Sequence, residues 1–432
     1  MDASFLRAPL AARVDGLLDA GAGRRILCDA GGAAAIAVEG LLRGRRVVVA
    51  GTDPQRVSGA IGAAESAVLC AAFDEARGRA PRDGVACILL LDSGGAKLTE
   101  GVAALGAFRR LETAALDAVA AGVPVAAVIG RNCFGGASLL AFAAGRRFYF
   151  PGSRLGLSGP RALDGPAAML APEEIERLYG PQARLGLDAG GRMLADTPHA
   201  VREALSEWLA HARARADATA ACRDATETRI TAADPAKVPG ERAVSPRLGE
   251  MLDSMLPAGW SVATSGGVFW GVARDREGAL VVAGFEPGLP VGAAACLRLA
   301  AIARELACED ERARTVLLLD TPGQAADRRE EALLPSAAVA RLAAAWRALH
   351  VSGWGVELWV RGEAGGAIYV ALAAAASRVF AVRDARFQTL TARAVAGVLG
   401  TAAPADAPAV TAIAAGVIDD WLPDLRPEVV LP

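Results

Sequence analysis

Apolar runs of strand length alternate along the chain with longer stretches whose apolar residues recur at helical spacing. Residues 1–44 have an Ala/Gly-rich middle and predict a helical N-terminal region. Arg45–Thr52, with Val47, Val48 and Val49, predicts a buried strand ending in a turn. Ile61, Val68, Leu69 and Phe73 predict a helix over 58–76. Val85–Asp92 is a continuous strand-length run that passes directly into Ser93-Gly94-Gly95-Ala96-Lys97. A helix over 99–121, a strand over Val123–Ile129, a helix opened by Gly135-Gly136-Ala137-Ser138 and an aromatic strand at Arg146–Phe150 follow. Strands alternating with helices predict an α/β fold with parallel pairing. Residues 162–221 are charged and helical, with Pro172-Glu173-Glu174 as a helix start. Residues 222–246 lack apolar period and predict a linker between a first domain, 1–221, and a second, 247–432.

The pattern then recurs. Ser261–Ala273 and Ala279–Phe285 predict paired strands, and 292–307 a helix. Leu317-Leu318-Leu319-Asp320-Thr321-Pro322-Gly323 echoes Leu89-Leu90-Leu91-Asp92-Ser93-Gly94. A helix over 337–349, a strand over Gly355–Val360 and Gly365-Gly366-Ala367 repeat the order seen around Gly135-Gly136-Ala137. Strand, helix, strand and glycine pair at near-equal spacing in both halves indicate a duplicated domain.

Composition narrows the function classes. The chain has 432 residues, 53% of them hydrophobic, which excludes a largely disordered protein. Its uncharged runs stop short of the roughly 20 residues of a membrane helix. No basic segment followed by an apolar run opens the sequence, so a cytoplasmic protein is expected. A net charge of −2 without a basic stripe gives no support to nucleic-acid binding. The seven cysteines form no CxxC pair and the three histidines lie apart from them, so no metal site is expected. Cys133, near the glycine pair, is either a buried thiol or a nucleophile.

Gly135-Gly136 places backbone N–H groups at a helix start, where they form either a tight packing turn or a binding site for an anionic oxygen. Repetition in the second half favours the binding site. These residues resemble the carboxyltransferase branch of the crotonase superfamily: the run ending in Asp92-Ser93-Gly94-Gly95-Ala96-Lys97, then Phe134-Gly135-Gly136-Ala137, then Arg154-Leu155-Gly156-Leu157-Ser158-Gly159-Pro160. The first half is similar to the β subunit, and the second to the γ subunit, of biotin-independent malonate decarboxylases, so the chain reads as a fusion of the two. The resemblance implies two tandem crotonase-like domains (the ββα superhelix) and oxyanion donors near Gly94 and Gly95, at Gly135 and Gly136, and at Gly365 and Gly366. Ser93, Ala96, Lys97, Phe134, Ala137, Gly156 and Gln324 are the implied substrate contacts. Family members often carry arginine where Lys97 stands, and the loop before Gly365 is short.

The implied reaction is decarboxylation of a malonyl thioester through an enolate, without a covalently bound cofactor. The substrate would be carried on a CoA-derived or phosphopantetheine-type thiol. Acyl carrier protein or a CoA thioester, an acyl-carrier transferase subunit and a multi-subunit assembly are the implied partners. Two alternatives stay open: a biotin-dependent acyl-CoA carboxyltransferase subunit, and a crotonase-fold scaffold without turnover. Sequence alone recommends Gly136→Val as the variant that removes activity from a folded protein.

Overall fold

The computed structural model describes residues 4–21, 23–163, 170–212, 243–400 and 410–422. The expected linker therefore lies outside the described residues up to position 242. The first half runs α1 (Leu10–Leu17), β1 (Arg25–Ile26), β2 (Ala35–Leu42), β3 (Arg45–Thr52), α2 (Ala63–Asp83), β4 (Ala86–Ser93), α3 (Val102–Ala120) and β5 (Val125–Phe134). It continues through α4 (Gly136–Ala143), β6 (Arg146–Tyr149), β7 (Leu155–Gly156), α5 (Pro160–Leu163), α6 (Pro172–Tyr179), α7 (Pro181–Leu185), β8 (Gly191–Met193) and α8 (Pro198–His211). Its sheet has the order β1-β2-β3-β4-β5-β6-β8, with β7 on the end of β5. The pairs β1–β2 and β2–β3 are antiparallel, and every later pair is parallel.

The second half repeats this plan. It runs α9 (Pro246–Met255), β9 (Trp260–Ser265), β10 (Val268–Asp275), β11 (Gly278–Phe285), α10 (Ala293–Leu306), β12 (Arg314–Thr321), α11 (Arg328–Ala332), α12 (Pro335–Val351) and β13 (Gly355–Gly365). Then come α13 (Gly366–Ala375), β14 (Arg378–Ala381), β15 (Arg386–Gln388), α14 (Ala392–Leu399), α15 (Val410–Ala414) and β16 (Asp420–Trp421). The order β9-β10-β11-β12-β13-β14-β16, with β15 on the end of β13, is that of the first sheet strand for strand. The chain is thus an α/β protein of two tandem domains with one topology.

Two expectations need correction. Among the described residues of 1–44 no helix lies beyond α1, because Ala35–Leu42 pairs antiparallel with β3. Arg43 (φ 48°) and Gly44 (φ 73°) form the two-residue turn that matches strand twist, so the hairpin outweighs the helix propensity of the alanines. The run Ser261–Ala273 is likewise two strands, parted at Gly266 (φ 60°) and Gly267 (φ 79°) by a turn of the same kind.

One apolar core extends through both halves. Helix α13, Gly-Ala-Ile-Tyr-Val-Ala-Leu-Ala-Ala-Ala, is buried on every face, which explains a helix without a polar side. It packs on α3, while α4 packs on α12. These are equivalent contacts with the halves exchanged, as an approximate two-fold relation between like domains requires. Ser138 Oγ meets Ser336 Oγ at 2.7 Å across this boundary. Smaller cores lie behind each sheet, under α1 and α8 in the first half and under α9 in the second.

Candidate active site

Each half ends its central strand in the same way. The sheet register slips at Asp92 between β4 and β5, and at Asp320 between β12 and β13. Both aspartates are buried. Asp92 Oδ1 accepts from Asn132 N at 3.2 Å and Asp320 Oδ1 from Glu363 N at 2.9 Å, so each carboxylate holds the kink in the neighbouring strand. An arginine from the helix behind the sheet neutralises each, Arg13 on Asp92 at 3.3 Å and Arg247 on Asp320 at 3.2 Å. One residue later, Ser93 Oγ accepts from Gly95 N at 3.1 Å, and Thr321 Oγ1 accepts from Gly323 N at 3.2 Å. Gly95 (φ 107°) and Gly323 (φ 123°) turn the chain with backbone angles that L side chains avoid.

A cavity of about 690 Å³ opens between the halves. The first half contributes Gly94, Gly95 and Ala96 from one loop, Phe134, Gly135 and Gly136 from another, and Leu157–Pro160 from a third. The second half contributes Gln324, Gly366, Ala367 and Val370, with Thr389 and Leu390 beside them. Of the residues singled out by sequence, Gly94, Gly95, Ala96, Phe134, Gly135, Gly136, Gln324 and Gly366 come together here. Ser93, Lys97, Ala137, Gly156 and Gly365 do not line it.

Hydrogen bonding decides which N–H groups a ligand can use. Gly94 N donates to Ser58 O at 2.9 Å, and Gly135 N donates to Leu157 O at 3.2 Å. Gly95 N is held by Ser93 as above. Ala96 differs: its neighbours Gly95 and Lys97 bond to Ile61, and its own N–H donates to no protein group among the described residues. Gly136 N is the first N–H of α4 and is likewise unengaged among them. The two loops touch, for a Cβ built on Gly135 would stand 3.4 Å from Gly95 Cα and 3.9 Å from Ala96 N. Ala96 and Gly136 thus present two N–H donors from facing loops that line one cavity, at the start of a helix whose dipole favours negative charge. Of the donors expected from sequence, Gly136 N is open, whereas the N–H groups of Gly94, Gly95 and Gly135 are engaged within the protein and Ala96 N, expected only as a substrate contact, is open beside them.

The remaining candidates have internal tasks. Lys97 Nζ pairs with Glu100 at 3.1 Å and lies 3.8 Å from Glu65, and the Glu100 hydrogen bond raises its pKa. A Cβ on Gly156 would stand 2.5 Å from Glu331 Oε1 and 2.7 Å from the Tyr179 ring, so that glycine allows close packing. A Cβ on Gly365 would stand 2.3 Å from Pro322 O. Ala137, in the first turn of α4, is buried. Cys133 is fully buried, and burial pushes its thiol far up, which removes it as a nucleophile at neutral pH.

Gly136 also faces the Phe108 ring, 2.0 Å from a Cβ built there. The Gly136→Val variant that sequence recommends would therefore displace Phe108 from the cavity wall, so losing activity in it would not isolate the N–H. Sequence reasoning missed Glu331, which stands in a charged run, Arg328-Arg329-Glu330-Glu331, that looks like a solvated helix face. Arg328 does reach the surface, pairing with Glu174 at 2.7 Å. Glu331 is instead buried across the boundary between the halves: Leu157 N donates to Oε1 at 3.1 Å and Ser158 N to Oε2 at 2.9 Å. Arg184, also buried, pairs with it at 3.1 Å. Burial pushes the Glu331 carboxyl up to about 7, with Arg184 and the two N–H donors opposing the rise. Because Leu157 O holds Gly135 N, this carboxylate fixes the loop that sets the glycine pair.

Among the described residues lining the cavity there is no histidine, carboxylate, cysteine or lysine; Arg154 and Arg161 are its charged groups. No cluster of potential metal ligands occurs among the described residues, and no helix among them is long and apolar enough to cross a membrane.

Residues 29–239 match the family described as Carboxyl transferase domain. A hetero-dimer of Pseudomonas malonate decarboxylase is 30% identical over 48% of this chain and 88% of its own, with a TM-score of 0.42. The transcarboxylase 12S structure with hydrolysed methylmalonyl-coenzyme A bound is 16% identical over 98% of this chain and 88% of its own, with a TM-score of 0.39. The β subunit of geranyl-CoA carboxylase from P. aeruginosa is 15% identical over 96% of this chain and 84% of its own, with a TM-score of 0.35. The search of curated proteins found no match. Residues 29–239, which supply Ala96 and Gly136, are thus similar to the Carboxyl transferase domain family.

Proposed function

We propose that the chain decarboxylates a malonyl thioester, carried on CoA or on the phosphopantetheine thiol of an acyl carrier protein. The observation that carries this reading is the notch formed by the Ala96 and Gly136 N–H groups in a cavity whose described lining has no general base. The thioester carbonyl oxygen sits in the notch. The bond between the α-carbon and the carboxylate breaks, its electron pair moves into the thioester to give an enolate, and CO2 leaves. A proton from solvent then adds to the α-carbon to give the acetyl thioester. The carbonyl oxygen carries more charge in the transition state than in the substrate, so two preorganised donors lower the barrier rather than merely tightening binding. Loss of CO2 requires no base, which is consistent with the lining. The fusion of β-like and γ-like halves, with the cavity between them, and a larger assembly with a carrier and an acyl-carrier transferase subunit belong to the same proposal.

The test replaces the Gly136 amide by an ester, using glycolic acid at that position. It deletes the N–H without adding a Cβ against Phe108. Formation of acetyl thioester should fall by on the order of 10²–10³ in kcat, the usual consequence of losing one such donor. Wild-type turnover in the ester variant, with unchanged unfolding, refutes the assignment.

A further inference from the structure

The second half contains the counterpart of the Ala96–Gly136 notch, and it is occupied. Gly366 (φ 56°) repeats the backbone turn of Gly135 (φ 58°), so Ala367 N stands where Gly136 N stands in the first half. Gln324 bridges to Val291 as Ala96 bridges to Ile61, so Gln324 is the counterpart of Ala96. At this position the first half has a methyl group and the second a long amide. Gln324 Oε1 accepts from Ala367 N at 3.0 Å, and a Cβ on Gly366 would stand 2.3 Å from that oxygen. A backbone N–H can bond only an acceptor, which assigns the oxygen rather than the nitrogen of the amide to this place.

We propose that Gln324 is a specificity-determining residue that closes the second notch with its own carbonyl oxygen. An amide oxygen held there occupies the place that a substrate carbonyl or oxyanion would take. The shared cavity then accepts one carbonyl, at Ala96 and Gly136. A second carbonyl compound, such as a cyclic urea acting as carboxyl acceptor, cannot dock opposite it. The claim concerns the second notch and is independent of which thioester enters the first.

Two measurements on the full chain test it. In protein labelled at its alanine and glycine amides, hydrogen exchange at Ala367 N should be at least about tenfold slower than at Gly136 N, the difference between a bonded and an open helix-start amide. Gln324→Ala should bring Ala367 to the Gly136 rate. Gln324→Glu should retain the protection, since a carboxylate oxygen still accepts. Equal rates in the wild type, or no change in Gln324→Ala, overturn the proposal. In titration calorimetry with free biotin, whose ureido carbonyl is the probe, Gln324→Ala should bind at least about tenfold more tightly than wild type. An affinity that the substitution leaves unchanged, whether measurable or absent, also overturns it.

Discussion

At the scale of single residues, the site is set by which polar atoms are already bonded. Gly94, Gly95 and Gly135 each donate within the protein, and that leaves Ala96 and Gly136 to the cavity. The glycine pairs and the strand-end aspartates were legible in the sequence as a repeated motif. Gly136 was legible as a donor too, but the engagement of Gly94 was not, because it depends on Ser58, a residue with no motif of its own. Glu112 shows the same dependence on surroundings. It lies on α3 one turn beyond Phe108, and its Oε1 is buried without a partner. Burial raises its carboxyl from 4.5 to about 7. The folded state then keeps a proton that the unfolded state releases. Stability is therefore full below about pH 4.5 and falls as pH rises towards 7, by roughly 3 kcal/mol for a shift of this size. Denaturant unfolding of Glu112→Gln across this window should show a flatter pH dependence than wild type. An identical profile would mean that the carboxyl is not protonated in the folded protein.

At the scale of elements, the loop from β7 to Pro160 is held by Glu331 from the other half and by Arg184 and Tyr179 from its own half. Glu331 bonds two of its N–H groups, Arg184 Nε bonds Leu155 O at 2.8 Å, and Tyr179 Oη bonds Ser158 O at 2.8 Å. Glu331→Ala leaves the Arg184 charge and two buried N–H groups unpaired, and breaking such a pair costs about 3–5 kcal/mol. Equilibrium unfolding should show a loss of that size, and a change below about 1 kcal/mol would show that water enters and replaces the carboxylate. Elements were well legible where one strand or helix reads alone: 86–93, 102–120 and 335–351 fall close to their predicted spans. They were poorly legible where pairing decides. Ala35–Leu42 has small and branched residues compatible with a helix, and only its hairpin with β3 makes it a strand. Glu331 was hidden because its partners come from the distant Leu157, Ser158 and Arg184.

At the scale of the whole molecule, the two halves share one core and one cavity. The alanine-rich helices that make the composition unusual are the ones that pack across the boundary, where small side chains let α3 and α13 lie close. The described residues should therefore lose both sheets together. Calorimetry should give one transition whose calorimetric and van't Hoff enthalpies agree, and two separated transitions would show that the halves are independent units. Duplication also explains how one notch can be open and the other closed: the backbone is repeated, and the side chain at Ala96 or Gln324 decides. The most direct measurement of the central claim is product formation by the intact chain. Purified protein is supplied with malonyl-CoA, and separately with malonyl carrier protein, each with and without biotin, while CO2 and the acetyl thioester are followed. The account predicts equal amounts of CO2 and acetyl thioester from at least one of the two substrates, unaffected by biotin. No acetyl thioester from either, or formation only when biotin is present, would contradict it.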